Sequence, residues 1–268
     1  MRYKCWIQAW IGIVLGACLL PANAGAPSAS VSYQIRTAAG VRAHVITADL
    51  RNPAVMVKPV LAYNTPGRGQ SFIRFMARHQ PLAQISGGYF SVANWLPIGD
   101  IVIDGKLRYR GQVGSALTIR TDNTAEIVDI PRGWTYSWPG CESVLRGGVR
   151  LLRHGAYAAY PRQQGFRDAG LFRLTSRTAV GITPQRRLLM VATGRNISLS
   201  TLACLMKGLG CTDAMSLDGG TSTGLAYGSR VIIAPGRMLS NVLIITERPE
   251  PPPTPIVMET PAPPTPPE

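Results

Sequence analysis

A chain of 268 residues, 46% of them hydrophobic, carries enough apolar side chain for one sizeable core or two small ones. The formal net charge is +14, and apart from Lys4, Lys58, Lys106 and Lys207 every basic residue is arginine. The planar guanidinium suits phosphate and carboxylate, so an anionic partner fits, although genome composition alone also produces such a skew. No helical basic stripe and no basic patch interleaved with aromatics occurs, which argues against nucleic acid.

The chain opens with Arg2 and Lys4, an apolar stretch from Trp6 to Leu20, and then Ala22-Asn23-Ala24. A basic start, a short apolar stretch and an A-x-A site predict a signal peptide over residues 1–24, cleaved after Ala24 and too short for a comfortable membrane span. Leu15-Gly16-Ala17-Cys18 offers a competing lipoprotein box, although the two leucines after Cys18 make a poor lipoprotein start. No later segment is apolar enough to span a bilayer. The mature chain is therefore expected to be exported, periplasmic or secreted, and soluble or lipid-tethered.

Alternation through Tyr33–Arg36, Val41–Ile46 and Val55–Val57 predicts strands, joined by turns at Ala39-Gly40 and Arg51-Asn52-Pro53. Ser71 to His79 predicts a short helix with Phe72, Phe75 and Met76 on one face. Leu82 to Ile85 reads as a strand that runs into Ser86-Gly87-Gly88-Tyr89-Phe90. Gly99 to Gly105 and Ala116 to Ile119 are strand-like, and Asp104-Gly105 reads as a hairpin turn. Residues 131–170, rich in Gly, Arg and aromatics, read as irregular.

Thr178–Ile182 and Leu188–Thr193 then predict a hairpin over Pro184–Arg187. Leu199, Leu202, Leu205, Met206 and Leu209 recur at helical spacing, with Ser198 or Ser200 as a cap. Val231–Ile233 and Val242–Thr246 read as closing strands. From Pro249 the composition collapses to Pro, Thr and Glu, which predicts a disordered Pro-rich tail over 249–268. Together these elements predict an α+β fold: a single domain over 31–248 of mixed/antiparallel β-sheet with two or three short helices.

Cys141, Cys204 and Cys211 follow the leader, and export favours oxidation. Cys204 and Cys211 flank a predicted helix end at Gly208–Gly210 and are the favoured pair, with Cys141 free. His44, His79 and His154 are scattered, without C-x-x-C or H-x-x-x-H, so a zinc site has no support and no metal-ligating residue is assigned.

The densest chemistry lies at Ser216-Leu217-Asp218-Gly219-Gly220-Thr221-Ser222-Thr223. An apolar run delivers a carboxylate to a double-glycine turn, followed at once by hydroxyls. Glycines let the backbone approach a ligand closely, and a carboxylate there can serve as acid, base or nucleophile. A tight turn in which Asp218 bonds its own backbone is the plain alternative. Gly220–Gly224 also fits G-x-S-x-G, the nucleophile elbow of serine hydrolases. That motif wants a helix after the serine and an acid and a histidine downstream. A strand-like run follows instead, no histidine lies beyond His154, and no acid appears before Glu247.

Arg177-Thr178 opens a strand, either as an ordinary edge arginine or as a bidentate clamp on an oxyanion or phosphate. Ser86–Phe90 pairs a strand end with two glycines and an aromatic ring, a tight turn or a wall for a sugar and its anionic oxygens. Glu142 is the other acid that could reach a pocket. Asn196-Ile197-Ser198 is a formal glycosylation sequon of little weight in a chain of bacterial aspect.

In their order and spacing these segments resemble the phosphodiester glycosidase family over most of residues 31–246. Ile85–Phe90 is similar to the family's I-N-G-G-Y-F, and Pro97 through Gly105 to its G-x-x-I-x-D-G strand. Arg146 through Gly155 resembles G-G-P-x-L-V-x-D-G, and Arg177–Gly181 resembles R-T-A-V-G. Gly210 through Ser222 is similar to L-G-x-x-D-A-x-N-L-D-G-G-G-S, and Arg237 through Ile244 to R-x-V-S-N-A-L. Ser86 and Ser216 each replace an asparagine of that pattern, and His154-Gly155 lacks its aspartate.

The resemblance implies hydrolysis of a sugar-1-phosphodiester at the anomeric carbon, without an assigned cofactor. Arg177 would neutralise the phosphate leaving group, so that one carboxylate, Asp218, suffices to activate water or to stabilise an oxocarbenium-like centre. The amides of Gly219, Gly220 and Thr221, with the Thr221 and Ser222 hydroxyls, would hold phosphate or sugar oxygens, beside Thr178. Ser86, Gly87, Gly88 and Tyr89 would form the opposing wall. Two other readings compete: a non-catalytic envelope protein that binds anionic glycans, and a serine esterase using Ser222.

Overall fold

Side-chain alternation decides where this backbone goes. In β2, Val41, Ala43 and Val45 face one way, and Ile46 and Ala48 the other, and all are buried. A strand apolar on both faces needs cover on both. The computed structural model describes residues 30–249. In chain order its elements are β1 (Val31–Ala38), β2 (Val41–Asp49), β3 (Val55–Leu61), α1 (Phe72–His79), β4 (Ala83–Ser86), β5 (Ile101–Ile103), β6 (Lys106–Tyr109), β7 (Ser115–Arg120) and β8 (Ala125–Val128). They continue with β9 (Cys141–Gly148), β10 (Arg150–Arg153), β11 (Ala156–Tyr157), β12 (Thr178–Ile182), β13 (Arg187–Ala192), α2 (Leu199–Gly208), β14 (Asp213–Leu217), β15 (Leu225–Tyr227), β16 (Arg230–Ile233) and β17 (Asn241–Glu247).

The strands form three sheets: a seven-stranded sheet β1-β2-β13-β12-β14-β10-β11, and two five-stranded sheets, β16-β15-β4-β17-β3 and β6-β5-β9-β7-β8. Each strand pairing within them is antiparallel. The expected sheet is thus three, and β dominates over the two α-helices. The inner faces share one core, with Ile46, Val57, Ile85, Leu117, Leu145, Met190, Met215 and Leu243 all within it. α2 covers the outer face of the seven-stranded sheet with Leu202, Leu205 and Met206 against Val45, Ala179 and Val191. Ser198 caps this helix, its side chain accepting from the Thr201 amide. α1 lays Phe72, Phe75 and Met76 on Val60, Val242 and Ile244 of the first five-stranded sheet. Phe75 is fully buried, and its truncation to Ala would cost about 3–5 kcal/mol.

Residues 131–170 are less irregular than their composition suggests. They hold β9, the middle strand of the third sheet, together with β10 and β11. Arg146 and two glycines break the apolar pattern of β9, yet Arg146 is fully buried. Its guanidinium donates to Gly114 O and Trp134 O at 3.0 Å each and lies 3.8 Å from the buried Asp100 carboxylate. Asp100 in turn accepts from the Gly111 amide at 2.9 Å and Trp138 Nε1 at 2.7 Å. Every polar atom of this inner cluster has a partner in reach, which makes a buried charge tolerable.

The expected Cys204–Cys211 disulfide does not form; Cys141, Cys204 and Cys211 are all free. Cys204 lies on the exposed side of α2, whereas Cys211 lies beneath that helix, with its sulfur against Gly181. Closeness in sequence does not turn the two thiols toward each other. The leader, the Cys18 box and the Pro-rich tail lie outside the described residues. Among the described residues no helix is long and apolar enough to cross a membrane.

Candidate active site

Antiparallel pairing of β12 with β14 sets Thr178 opposite Leu217, so Arg177 and Asp218 emerge together at one end of the seven-stranded sheet. The Asp218 amide donates to Gly87 O at 2.9 Å, which ties this end to the turn after β4. Asn241, first residue of β17, braces that turn: its Oδ1 accepts from the Gly88 amide at 2.8 Å, and its Nδ2 donates to Gly88 O at 3.3 Å. A Cβ on Gly87 would stand 1.9 Å from Asn241 Oδ1, so only glycine fits there. Gly220 has φ +61° and its amide donates to Ser176 O at 2.8 Å.

Above these turns lies a cavity of about 510 Å³. Of the residues expected from the sequence, Tyr89, Arg177, Asp218, Gly219, Gly220 and Thr221 line it. Ser86, Gly87, Gly88, Thr178 and Ser222 do not; they stand behind the wall. Ser86 Oγ donates to Ser222 O and accepts from the Gly224 amide at 2.8 Å. Thr178 Oγ1 donates to Asp218 O at 2.7 Å. Ser222 is fully buried, and its hydroxyl lies near the Asp218 carboxylate without a hydrogen bond of regular geometry. The Ser86 and Thr178 hydroxyls are thus spent on bonds within the protein that brace the lining residues.

Asp218 sits half-buried at the cavity floor, hemmed in by protein on most sides. Burial pushes its carboxyl up to about 7, against weaker opposing effects of the Ser222 hydroxyl, Arg237 and the Gly219 amide, while Asp168 raises it further. Tyr89 is pushed up to about 12, first by burial, and its hydroxyl shares a hydrogen bond of 2.9 Å with Ser216 Oγ. Ser216, one of the departures from the family asparagines, is therefore used beneath the floor.

Arg177 is not an edge arginine. β12 lies between β13 and β14, and Arg177 is 2% exposed. Its Nη2 donates to Leu171 O at 2.9 Å and Arg173 O at 2.6 Å, and its Nε to Ile197 O at 3.3 Å. Burial lowers its pKa, and the neighbouring Tyr89 hydroxyl works against that.

Arg237 and Asp168 line the same cavity without having stood out in the sequence. The Arg237 guanidinium lies 5.6 Å from the centre of the Phe90 ring and 3.5 Å from Thr221 Oγ1. Among the described residues no carboxylate comes within ion-pair distance of Arg177 or Arg237. Arg237 opens the stretch Arg237–Ile244, the one signal that could have found it. Asp168 accepts from the Gly170 amide at 2.6 Å in a short 3₁₀ turn within a stretch that has no periodicity.

The other acids singled out from the sequence lie elsewhere. Glu142 forms a two-pronged pair with Arg248 at 2.7 and 2.8 Å, and does not line the cavity. Asp104-Gly105 is the hairpin turn between β5 and β6, both residues at positive φ. His154-Gly155 is likewise the two-residue turn between β10 and β11, so its departure from the family pattern falls on a turn. Among the described residues no three of His, Cys, Asp and Glu converge as metal ligands would.

Asp218, its carboxyl of raised pKa, thus shares one cavity at the ends of three strands with Arg177 and Arg237, which have no carboxylate within ion-pair distance among the described residues. The sequence profile of the phosphodiester glycosidase family matches residues 79–246. The chain belongs to that family, and the hydrolase class is the family's. Similar solved structures include a hypothetical protein from Synechocystis, with a TM-score of 0.70 at 16% identity, covering 82% of this chain and 62% of that one. The chain thus spans less than two thirds of the Synechocystis protein. The catalytic domain of zebrafish N-acetylglucosamine-1-phosphodiester alpha-N-acetylglucosaminidase, auto-inhibited by its pro-peptide, gives a TM-score of 0.66 at 21% identity, covering 83% and 85%. A Burkholderia pseudomallei protein described as exported gives 0.53 at 15%, covering 76% and 74%. At these identities the likeness shows the fold. No curated protein matches the chain.

Proposed function

We propose that the protein is an exported hydrolase that cleaves the glycosidic bond of a sugar-1-phosphodiester, releasing the sugar and a phosphomonoester. The observation that carries this reading is the pairing, in one cavity, of Asp218 with Arg177 and Arg237, which have no carboxylate within ion-pair distance among the described residues. Water attacks the anomeric carbon and gives its proton to the Asp218 carboxylate. The bond from that carbon to the phosphate oxygen breaks, and its electron pair leaves with the phosphate. Arg237 and Arg177 take up the charge of that leaving group, so little protonation of the bridging oxygen is needed. In the alternative role the ionised Asp218 carboxylate would instead stabilise positive charge on the sugar ring as the bond breaks.

Export rests on the leader-like start from Arg2 to Ala24, and the Burkholderia relative is described as exported. The catalytic unit is assigned to residues 31–248, with the Pro-rich segment as an appended tail. The esterase reading loses its footing, because Ser222 is fully buried and off the cavity, and among the described residues no histidine lines that cavity to act as its base. The test is a screen of purified protein on sugar-1-phosphodiesters with Asp218→Asn as control. Turnover by wild type alone supports hydrolysis; binding of anionic glycans without turnover supports the envelope-binding reading.

A further inference from the structure

The mouth of the cavity has a second chemical character. Val92 is 57% exposed and Leu174 is 67% exposed, and both line the cavity. Scattered exposed apolar side chains are ordinary, but these two belong to one opening, each on a segment that also shapes the polar part of the site. Val92 lies two residues beyond Phe90, whose ring carries Arg237. Leu174 lies between Arg173 and Thr175, and the Thr175 hydroxyl stands 3.2 Å from where a Cβ on Gly220 would be.

The polar lining is equally telling. Tyr89 has its hydroxyl engaged by Ser216. Beyond it, only Thr175 and Thr221 contribute neutral polar side chains; the rest are charged. A sugar on each side of the phosphate would bring two sets of hydroxyls, and the exposed Val92 and Leu174 side chains offer neither donor nor acceptor to the set that meets them. Facing them with Val92 and Leu174 would cost hydrogen bonds to water without replacing them.

We propose that the alcohol on the far side of the phosphate is a hydrocarbon chain, so that the substrate is an amphiphilic sugar-1-phosphodiester. This rests on the hydrolytic reading above. Its phosphate lies at Arg237 and its tail runs out over Val92, Leu174 and the edge of Phe90. Such a tail leaves water on binding, and burial of about two methylenes is already worth tenfold in affinity.

The test compares the octyl and methyl diesters of N-acetylglucosamine-1-phosphate below the micelle concentration. For wild type, kcat/KM for the octyl ester is expected to exceed that for the methyl ester at least tenfold. In the double variant Val92→Ser, Leu174→Ser the ratio falls to near one. A wild-type ratio near one, or a preference that survives in the variant, overturns the proposal. If neither ester turns over, this hydrolysis fails for that sugar, and calorimetry with octyl phosphate against methyl phosphate decides the tail site by itself. At least tenfold tighter binding of octyl phosphate, lost in the double variant, upholds it; equal binding overturns it.

Discussion

The amide of Asp218 donates to the carbonyl of Gly87 over 2.9 Å, and through this bond the carboxylate at the end of β14 is held against the turn that follows β4. The carboxylate is fixed at its backbone while its side chain remains in the cavity. Substitutions of the side chain therefore leave this backbone bond in place.

Asp218→Asn is expected to lower kcat roughly 100- to 10,000-fold, the range for losing a positioned acid–base group. Its effect on stability has a defined sign. The carboxyl ionises near 3.8 unfolded and at about 7 folded. Between those values the folded protein keeps a proton that the unfolded chain has released, so wild type loses stability as pH rises through that window. The asparagine variant lacks this loss. Urea midpoints at a series of pH values should show the variant gaining on wild type from pH 4 to 7; parallel profiles would contradict a raised pKa. In wild type, kcat/KM should rise with pH toward a plateau above about 7.

Asn241→Ala removes both bonds to Gly88 and leaves a buried amide without an acceptor. The cost expected is about 1–3 kcal/mol, measured by urea unfolding, together with a fall in kcat. Gly87→Ala in the wild-type background should be at least as damaging, since its methyl group meets Asn241 Oδ1 at 1.9 Å and Asn241 O at 2.8 Å.

Arg177 and Arg237 should respond differently to truncation. Arg177→Ala strips the donor from Leu171 O, Arg173 O and Ile197 O, so it is expected to lower Tm as well as activity. Arg237→Ala loses one long bond and a contact with a ring, so its Tm should stay near that of wild type. Its KM for a phosphodiester should rise about tenfold or more, the weight of a charge-assisted hydrogen bond. A Tm loss in Arg237→Ala equal to that of Arg177→Ala would refute this division.

Of Cys141, Cys204 and Cys211, only Cys204 is exposed, and burial pushes the Cys211 thiol up to about 12. A maleimide should label Cys204 in the native protein, with Cys141 and Cys211 reacting only after unfolding. Mass spectrometry of tryptic peptides reads the outcome directly.

The Asp218 turn stood out in the sequence because its glycines and hydroxyls are consecutive. Both helices stood out because Phe72, Phe75 and Met76, and Leu202, Leu205 and Met206, recur at the spacing of a buried stripe. β9 did not, because Arg146 interrupts its apolar pattern and is neutralised by groups far along the chain. Asp168 had no pattern to carry it, and Arg237 reaches the cavity from a loop whose course no local period dictates. The hydroxyls of Ser86, Thr178 and Ser222 looked like ligand contacts because residue type does not say which way a side chain faces. The departures at Ser86 and Ser216 consequently fall on internal bonds.

The site is closed by contacts that span most of the chain. Ser86 reaches Ser222 across 136 residues, and Gly88 reaches Asn241 across 153. Contacts of such separation impose a large loop-closure cost and form late during folding. A partly folded or nascent chain therefore has no cavity until β17 docks, however complete its earlier sheets are. Catalysis would begin only at the end of folding, so a refolding chain should regain far-UV circular dichroism before it regains turnover.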